Sequence, residues 1–139
     1  VGSSTFFMMR KLFYIVFGVL AVTFMSCRKE IDPADVAAQT ARQYYDYLLH
    51  GDYEAYVEGM DTPERIPASY KEQLLLNARM FMEQQKKEHR GIRQVSVVNA
   101  TADTARKEAQ VFLLLSYGDS TREQVYVPMV MRKGIWYLR

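Results

Sequence analysis

Asp46 and His50 are the residues whose types and spacing come nearest to a catalytic pair. They lie four positions apart, which places both on one face of a helix, one turn from each other. A carboxylate in that position can orient a histidine that acts as a general base. Neither residue lies on the apolar stripe of the surrounding segment. The alternative, which we favour, is a charged pair on the helix surface near its end.

Further groups for acid–base chemistry are missing from the centres of the predicted strands. No Asp, Glu or His occurs in residues 95–98, 111–115, 125–131 or 135–138. The acidic residues of this half lie at strand ends or turns, where a solvated charge is the ordinary state: Asp103, Glu108, Asp119 and Glu123. The chain has two histidines and one cysteine, and it shows no glycine-rich phosphate loop. We therefore expect no metal and no cofactor, and an enzymatic function stays open without being favoured.

The aromatic side chains offer a second kind of chemistry, the recognition of an apolar or aromatic small molecule. The chain contains 10 tyrosines and one tryptophan, whose rings bury well while their polar tips still form hydrogen bonds. We take Tyr44, Tyr56 and Tyr126 as the candidate lining of a concave pocket. The alternative is that these side chains pack in the core or in an interface between subunits.

The only cysteine, Cys27, closely follows an uncharged apolar run over residues 12–25, which in turn follows Arg10 and Lys11. The run is shorter than the roughly 20 residues that span a bilayer and has the length of a signal-peptide core. Residues 24–27, Phe-Met-Ser-Cys, resemble the lipobox of bacterial lipoproteins in the looser form of Bacteroidetes-type bacteria. The resemblance implies that Cys27 becomes an acylated N-terminus that anchors the protein to a membrane.

This reading of the N-terminus sets the predicted regions of the chain. Residues 1–27 are the leader with its lipidation site, and residues 1–7 are interpreted as a mis-called start before the first methionines. Residues 28–31 form a short tether. Residues 32–139 form a single domain of ordinary size. We expect an exported lipoprotein held at the outer membrane, on its periplasmic or surface face.

The formal net charge of +2 comes from the leader. Cleavage before Cys27 removes two basic residues and no acidic one, which leaves 16 of each sign. A nucleic-acid-binding domain would show a clustered basic surface instead, so we expect no nucleic-acid partner. Because Cys27 is the only cysteine, the domain must also fold without an internal disulfide.

Helical periodicity predicts three helices in the first part of the domain. The first begins at Asp32, an N-cap, and runs to about His50. A short second helix is capped by Asp52. A third covers about 68–90 with an apolar stripe that includes Tyr70, Leu74, Ala78, Phe81 and Met82. Basic residues in its last turns complement the helix dipole or, alternatively, contact anionic headgroups or glycans near the anchor.

After Gly91 the apolar period changes from 3.6 to 2, which predicts β-structure. Four strands are predicted, over residues 93–100, 107–117, 121–132 and 135–139. The short turns between them indicate an antiparallel meander. Pro128 cannot donate to a sheet ladder, so the third strand is an edge or carries a bulge there. Both faces of this strand are apolar, as expected if the sheet curls around a helix or pairs with a second subunit.

Three helices followed by a curved antiparallel sheet resemble the cone-shaped nuclear transport factor 2-like, or cystatin-like, superfamily. Three segments carry the resemblance: residues 44–56, YYDYLLHGDYEAY, the long helix from about Ala68, and the final hairpin at 125–138. It implies an α+β fold in which three N-terminal helices pack on a curved four-stranded antiparallel sheet. Many small secreted lipoproteins look like this without an assigned activity. No catalytic residue of the superfamily's enzymes can be matched to a position here.

We therefore expect a non-enzymatic module of the cell envelope, tethered through Cys27, that binds a small apolar ligand or another protein. Two alternatives remain. One is a small isomerase- or dehydratase-like enzyme that acts inside the cone and would depend on Asp46 or His50. The other is a structural homodimer that pairs through the sheet.

Overall fold

The computed structural model of the protein describes residues 30–139. The predicted leader, the lipidation site Cys27 and the first part of the tether lie outside the described residues. Residues Asp32–Arg139 form one compact unit that contains three helices and four strands.

Helix α1, Pro33–Leu49, begins at its predicted N-cap. The carboxylate of Asp32 accepts a hydrogen bond from the backbone N–H of Ala34 at 3.0 Å, which satisfies one of the donors left free at a helix start. The helix ends before Gly51, whose φ of +75° is a conformation that suits glycine. Its buried side chains are Ala37, Ala38, Ala41 and Leu48.

Helix α2, Tyr53–Glu58, is one short segment capped by Asp52, as the sequence predicts. The Asp52 carboxylate accepts a hydrogen bond from the backbone N–H of Ala55 at 3.1 Å. The helix ends at Gly59, which lies directly against α1. A Cβ at this position would lie 2.5 Å from the ring of Tyr44, so the close approach of the two helices requires glycine.

Helix α3, Ala68–His89, is long and packs loosely on the rest of the domain. Within this fully described helix only Ala78 is buried. Two members of its predicted apolar stripe, Tyr70 and Phe81, are exposed by 49% and 36%. The prediction of a buried stripe is wrong at these two positions, because no described element packs closely enough on them to exclude solvent.

Four strands follow and form a single antiparallel sheet in the order β1-β2-β3-β4. Their bounds are Ile92–Asp103 for β1, Glu108–Tyr117 for β2, Arg122–Arg132 for β3 and Ile135–Leu138 for β4. The predicted meander is confirmed, although β1 continues beyond its predicted end at residue 100. Two register shifts interrupt the β1–β2 pairing, near residues 92–94 and 97–99, and irregularities of this kind bend and twist a strand.

The β3–β4 hairpin closes through Lys133 and Gly134, directly after the pair formed by Arg132 and Ile135. The two turn residues have φ values of +51° and +78°. Two consecutive positive φ values are the signature of a type I′ turn, which matches the right-handed twist of the flanking strands. The turn therefore returns β4 along β3 without splaying the two strands.

The core lies between α1 and the inner face of the sheet. Alternate residues of β2 and β3 point toward α1. The best buried of them are Val111, Leu113, Leu115, Val127 and Met129. Trp136 and Leu138 of β4 complete the same cluster. Because α1 meets this layer through alanines, its backbone lies close to the sheet.

Pro128 lies next to the point along β3 where its pairing with β4 begins. The β2–β3 register runs without a break through the pair of Gln110 and Pro128, so β3 has no bulge there. β4 pairs with β3 only from Met129 onward. Of the two predicted options, an edge or a bulge, the structure selects the edge. On the side where β4 ends, no described strand pairs with β3 residues 122–127, which we call the open edge.

The outer face of the sheet carries apolar side chains that no described element covers. The rings of Phe112 and Tyr126 lie side by side with their centroids 5.3 Å apart. Tyr126 is exposed by 52% and Val98 of β1 by 49%. The central strands thus have apolar side chains on both faces, as their sequences predict.

Candidate functional site

A cavity of about 290 Å³ lies beside the open edge of β3. Its volume is near the lower end of the range usual for small-molecule sites. All three helices contribute to its wall together with the ends of β3 and β4. The main apolar lining residues are Tyr45, Tyr56, Tyr70, Leu74, Val127 and Leu138. We call this space the edge cavity.

Tyr45 and Tyr56 form the aromatic wall of the edge cavity. Their rings meet edge to face, with centroids 6.1 Å apart and an interplanar angle of 88°. Burial raises the pKa of both hydroxyls above the ordinary value for tyrosine, and the neighbouring Tyr56 adds to the shift at Tyr45. Neither hydroxyl forms a side-chain hydrogen bond within residues 30–139. Both therefore stay protonated and remain able to donate to a ligand.

Tyr44, the third tyrosine predicted to line a pocket, does not line the edge cavity. Its hydroxyl donates a 2.7 Å hydrogen bond to the backbone carbonyl of Trp136, and its ring packs against Gly59. Burial, with Tyr137 and Tyr47 nearby, raises the pKa of this hydroxyl. The side chain therefore links α1 to β4. It points away from the cavity wall formed by Tyr45, because consecutive residues of a helix point in directions about 100° apart.

Tyr126 reaches the edge cavity from its rim. The ring lies on the outer face of the sheet beside Phe112, whereas the next residue, Val127, points inward and is buried. The cavity therefore meets Tyr126 where β3 presents its open edge. Of the three predicted lining residues, the structure brings Tyr56 and Tyr126 to one cavity.

Tyr45 and Tyr70 line the cavity without having been singled out for this role. Tyr70 stood on a predicted apolar stripe of its helix, so its spacing signalled burial rather than a binding site. Tyr45 belongs to a tyrosine-rich segment in which no local pattern distinguishes it from its neighbours. Only the packing of the three helices brings Tyr45, Tyr56 and Tyr70 to one cavity.

Asp46 and His50 do not form the carboxylate–imidazole pair that their spacing allows. The Asp46 carboxylate lies 3.7 Å from the guanidinium of Arg42. Nδ1 of His50 lies 2.7 Å from the backbone carbonyl oxygen of Asp46, so the imidazole contacts the helix end and not the acid. His50 is exposed. These positions match the surface interpretation of the pair.

A polar cluster at the β2–β3 turn ties down the end of α3. Nδ1 of His89 lies 3.0 Å from a carboxylate oxygen of Asp119, and the backbone N–H of Asp119 donates to the His89 carbonyl at 3.0 Å. The side chain and backbone N–H of Thr121 also donate to Asp119. These hydrogen bonds, with His89 adding to them, lower the pKa of Asp119 to about 2.

Tyr117 connects this cluster to the sheet. Its ring stacks on the imidazole of His89 with centroids 4.3 Å apart, and its hydroxyl donates to the carboxylate of Glu123. Burial, and then the bond to Glu123 and the nearby carboxylates, raise the pKa of Tyr117. We call His89, Tyr117, Asp119, Thr121 and Glu123 the turn cluster. Asp119 and Glu123 are exposed, as expected for charges at a turn, and each also accepts hydrogen bonds within this cluster.

A broader groove of about 850 Å³ runs past the β3–β4 hairpin. Two ion pairs lie along it. Arg132 binds Asp61 through two contacts of 3.2 and 3.1 Å, and Lys133 lies 3.1 Å from Glu64. Exposed pairs of this kind contribute little to stability.

Metal-binding and membrane-spanning features were sought in residues 30–139. No group of three or more His, Cys, Asp and Glu side chains there is arranged to hold a metal ion. Over the same residues, every helix is too short or too polar to cross a bilayer.

No protein-family model and no curated protein matches the chain. Similarity appears at the level of solved structures. An NTF2-like transpeptidase of Campylobacter jejuni superposes with a TM-score of 0.58 at 12% identity, covering 72% of this chain and 94% of the other. A protein of Rhodopseudomonas palustris that contains a SEC-C motif gives a TM-score of 0.51 at 15% identity, covering 74% and 76%. At these identities the likeness concerns the fold alone, and the compact unit of this chain has an α+β fold like that of the NTF2-like structure.

Proposed function

We propose that the protein is a binding module of the bacterial cell envelope whose edge cavity receives an apolar or aromatic group. The observation that carries the proposal is the edge cavity itself. It combines an apolar wall with two tyrosine hydroxyls that make no side-chain hydrogen bond in the described part of the chain. In residues 30–139 no buried side-chain N or O atom lacks a partner, so these two hydroxyls are accessible from solvent and able to donate to a ligand acceptor.

The chemistry of the cavity favours binding over catalysis. Tyr45 and Tyr56 have raised pKa values, so they donate hydrogen bonds but are poor general bases near neutral pH. The enzyme alternative depended on Asp46 and His50, which do not line this cavity. The Asp46 carboxylate and the His50 imidazole also do not contact each other. The transpeptidase name of the Campylobacter jejuni protein assigns no activity to this chain, because the two share only the fold.

The attachment to the membrane is part of the proposal and depends on the sequence. The lipobox-like residues 24–27 end at Cys27, and the domain begins at Asp32, so a short tether would hold the domain near an outer-membrane surface. More than one acyl chain is needed for stable anchoring. Labelled palmitate should enter the full-length protein in a Bacteroidetes host, and Cys27→Ser should abolish both labelling and membrane retention. Retention of unlabelled Cys27→Ser protein in membranes would contradict this part.

A homodimer formed through the sheet is the second candidate, favoured by the exposed apolar side chains of the outer face. Val98 and Tyr126 are each about half exposed, and isolated apolar patches of this kind often mark an interface. Sedimentation of residues 28–139 tests this candidate directly. A dimer that Val98→Lys converts to a monomer would support it, and a monomer at high concentration would exclude it.

The binding proposal is tested by titrating residues 28–139 with indole and 4-methylphenol while recording amide chemical shifts. We expect shifts confined to residues around Tyr45, Tyr56 and Leu74. Leu74→Trp should fill the cavity and abolish the response. Leu76→Trp is the matched control, because Leu76 is 45% exposed on the same helix and lies outside the cavity. Absence of any localised shift at millimolar probe, or an equal loss in both variants, would overturn the proposal.

A further inference from the structure

The long helix α3 is firmly held at its C-terminal end. There the turn cluster joins it to the β2–β3 turn, and the N–H of Gly91 donates to the carbonyl of Gln85 at 3.0 Å. Its last turn carries Lys86, Lys87 and His89, and cations in this position stabilise a helix through its dipole. Hydrogen bonds, a ring stack and favourable charge therefore all act on the same end of the helix.

The N-terminal end of α3 has weaker support. Its N-cap is Pro67, whose side chain makes no capping hydrogen bond, whereas Asp32 and Asp52 cap the other two helices. Its first turn also contains no acidic residue to offset the helix dipole. A helix start without a cap leaves backbone N–H groups without a partner in the helix, so its first turns open more readily.

Burial shows how far along the chain this weak support extends. Asp61 is fixed, because its N–H donates to the carbonyl of the last residue of β4 at 2.7 Å. The next fixed point is Ala78, the buried residue of α3. None of residues 62–77 between them is buried, and the ion pair of Glu64 with Lys133 is exposed on both sides and contributes little. We call residues 62–77 the loose segment.

The loose segment supplies one wall of the edge cavity. Thr62, Tyr70 and Leu74 belong to the lining. The other walls come from α1, α2 and the sheet, where Val127 and Leu138 are buried in the core. Regions with few buried side chains open locally at a lower free energy than the core does. The cavity therefore has a fixed side and a side that can open.

We propose that the loose segment is a movable wall, which opens by local unfolding of the first turns of α3 and closes over a ligand in the edge cavity. This inference rests on the proposed binding function and specifies how access to that site is controlled. A ligand contacts Tyr70 and Leu74 only when the wall is closed. It therefore binds the closed form more tightly and shifts the equilibrium toward that form.

The exposed ring of Tyr70 supplies a reason for closure. About half of this side chain faces solvent in the protein alone, and a ligand in the edge cavity would cover part of it. Burial of apolar surface is favourable, so this contact offsets the loss of freedom when the loose segment becomes ordered. The turn cluster keeps the C-terminal part of α3 in place meanwhile.

The test measures amide hydrogen exchange in residues 28–139 with and without indole. The amides of residues 72–75 bond to carbonyls in the first turns of α3. In the free protein we expect them to exchange at least about tenfold faster than the amides of residues 84–88. Indole at about ten times its dissociation constant should slow exchange at 72–75 about tenfold, because opening then requires release of the ligand.

A matched pair of glycine variants distinguishes local opening from unfolding of the whole domain. Gln73 and Gln84 are both exposed on α3 and do not line the edge cavity. Each side chain donates to the residue four positions on, at 2.8 and 3.1 Å. Gln73→Gly should speed exchange at 72–75 about fivefold, as expected for glycine in a helix interior. Gln84→Gly should leave these amides unchanged, because residue 84 stays helical in the open form.

The outcomes separate this inference from the binding function. Equal acceleration at 72–75 in the two variants would overturn the inference, because these amides would then exchange only when the whole domain unfolds. Unchanged exchange at 72–75 while chemical shifts show that indole is bound would overturn it too, and would leave the binding function intact. If indole at millimolar concentration shifts no amide, the binding function itself fails, and the inference fails with it.

Discussion

Two parts of β3, its start and its middle, differ in what they contact. At its start, the turn cluster joins the strand to α3 through hydrogen bonds of His89, Asp119 and Thr121 and the ring stack on Tyr117. Near Pro128, in the middle of the strand, an apolar cavity lies beside β3. The first part holds two elements together. The second presents aromatic surface beside the cavity, which is where we place binding.

The backbone packing shows the same contrast. At the turn, the N–H of Gly118 donates to the Gly91 carbonyl at 2.9 Å, so the loop after α3 and the β2–β3 turn are in direct contact. At the cavity, the lining residues Tyr70 and Tyr126 are each about half exposed. Removing a contact should therefore cost stability at the turn and change only binding at the cavity.

The largest effect is expected for Gly118→Ala. A Cβ at this position would lie 2.5 Å from the backbone carbonyl oxygen of Arg90, and backbone atoms cannot move aside as a flexible side chain can. We expect the free energy of unfolding to fall by about 3 kcal/mol, measured by urea denaturation. Gly91→Ala is the control for backbone conformation alone, because its φ is +84° and its Cβ would meet open space. An equal loss in both variants would contradict the close-contact explanation.

Tyr117→Phe is expected to have the next largest effect. It removes the hydroxyl that donates to Glu123, and hydrogen bonds to charged groups stabilise folded proteins by about 1.5–3 kcal/mol. Because the carboxylate can regain water, we expect a loss near the lower end of this range. Tyr126→Phe, in the neighbouring strand, should change stability by less than about 0.5 kcal/mol. The two variants are compared by thermal melts. Similar losses of thermal stability in both would contradict the contrast between the two parts of β3.

Tyr44→Phe tests whether the structural tyrosine and the cavity tyrosines are distinct. The change deletes the hydrogen bond to the Trp136 carbonyl, so stability should fall by about 1 kcal/mol while indole binding is unchanged. Tyr56→Phe should show the reverse, with weaker binding of 4-methylphenol or indole and nearly unchanged stability. Weaker probe binding in Tyr44→Phe would place this residue at the cavity after all.

The smallest effect concerns the pH dependence of the turn cluster. The folded protein lowers the pKa of Asp119 from 3.8 to about 2, chiefly through the hydrogen bonds from Thr121. The stabilisation is therefore fully present above the unfolded value and is lost as the pH falls toward 2. Asp119→Asn should lower the free energy of unfolding at pH 6, and its difference from the unmodified protein should shrink toward pH 2. A difference that stayed constant over this range would show that the carboxylate charge is not responsible.

Much of the fold followed from local pattern. The caps Asp32 and Asp52, the glycine after α1 and the change of apolar period after Gly91 predicted the helices and the meander, because caps and periodicity act over a few residues. The same local information failed for Tyr70 and Phe81 on α3. Their helical spacing is that of a buried stripe, but burial depends on whether another element lies opposite, which the spacing does not contain.

The candidate site shows the same limit more sharply. The sequence pointed to tyrosines as the binding side chains, and Tyr56 and Tyr126 reach one cavity. It could not separate Tyr44 from Tyr45, since one step along a helix turns a side chain by about 100°. It also left open whether Pro128 marked an edge or a bulge, because that depends on where β4 ends.

By itself the sequence determined the composition of the parts: three helices, two of them with a capping aspartate, four strands, a surplus of tyrosines, a single cysteine after an apolar run, and strand centres without Asp, Glu or His. Tertiary structure decided which parts meet. It joined His89 to Asp119 across 30 positions, sent Tyr44 to β4, and brought Tyr56 and Tyr126 to one cavity. Contacts of this kind arise from the packing of distant segments, whose relative positions depend on the whole core and not on any local pattern.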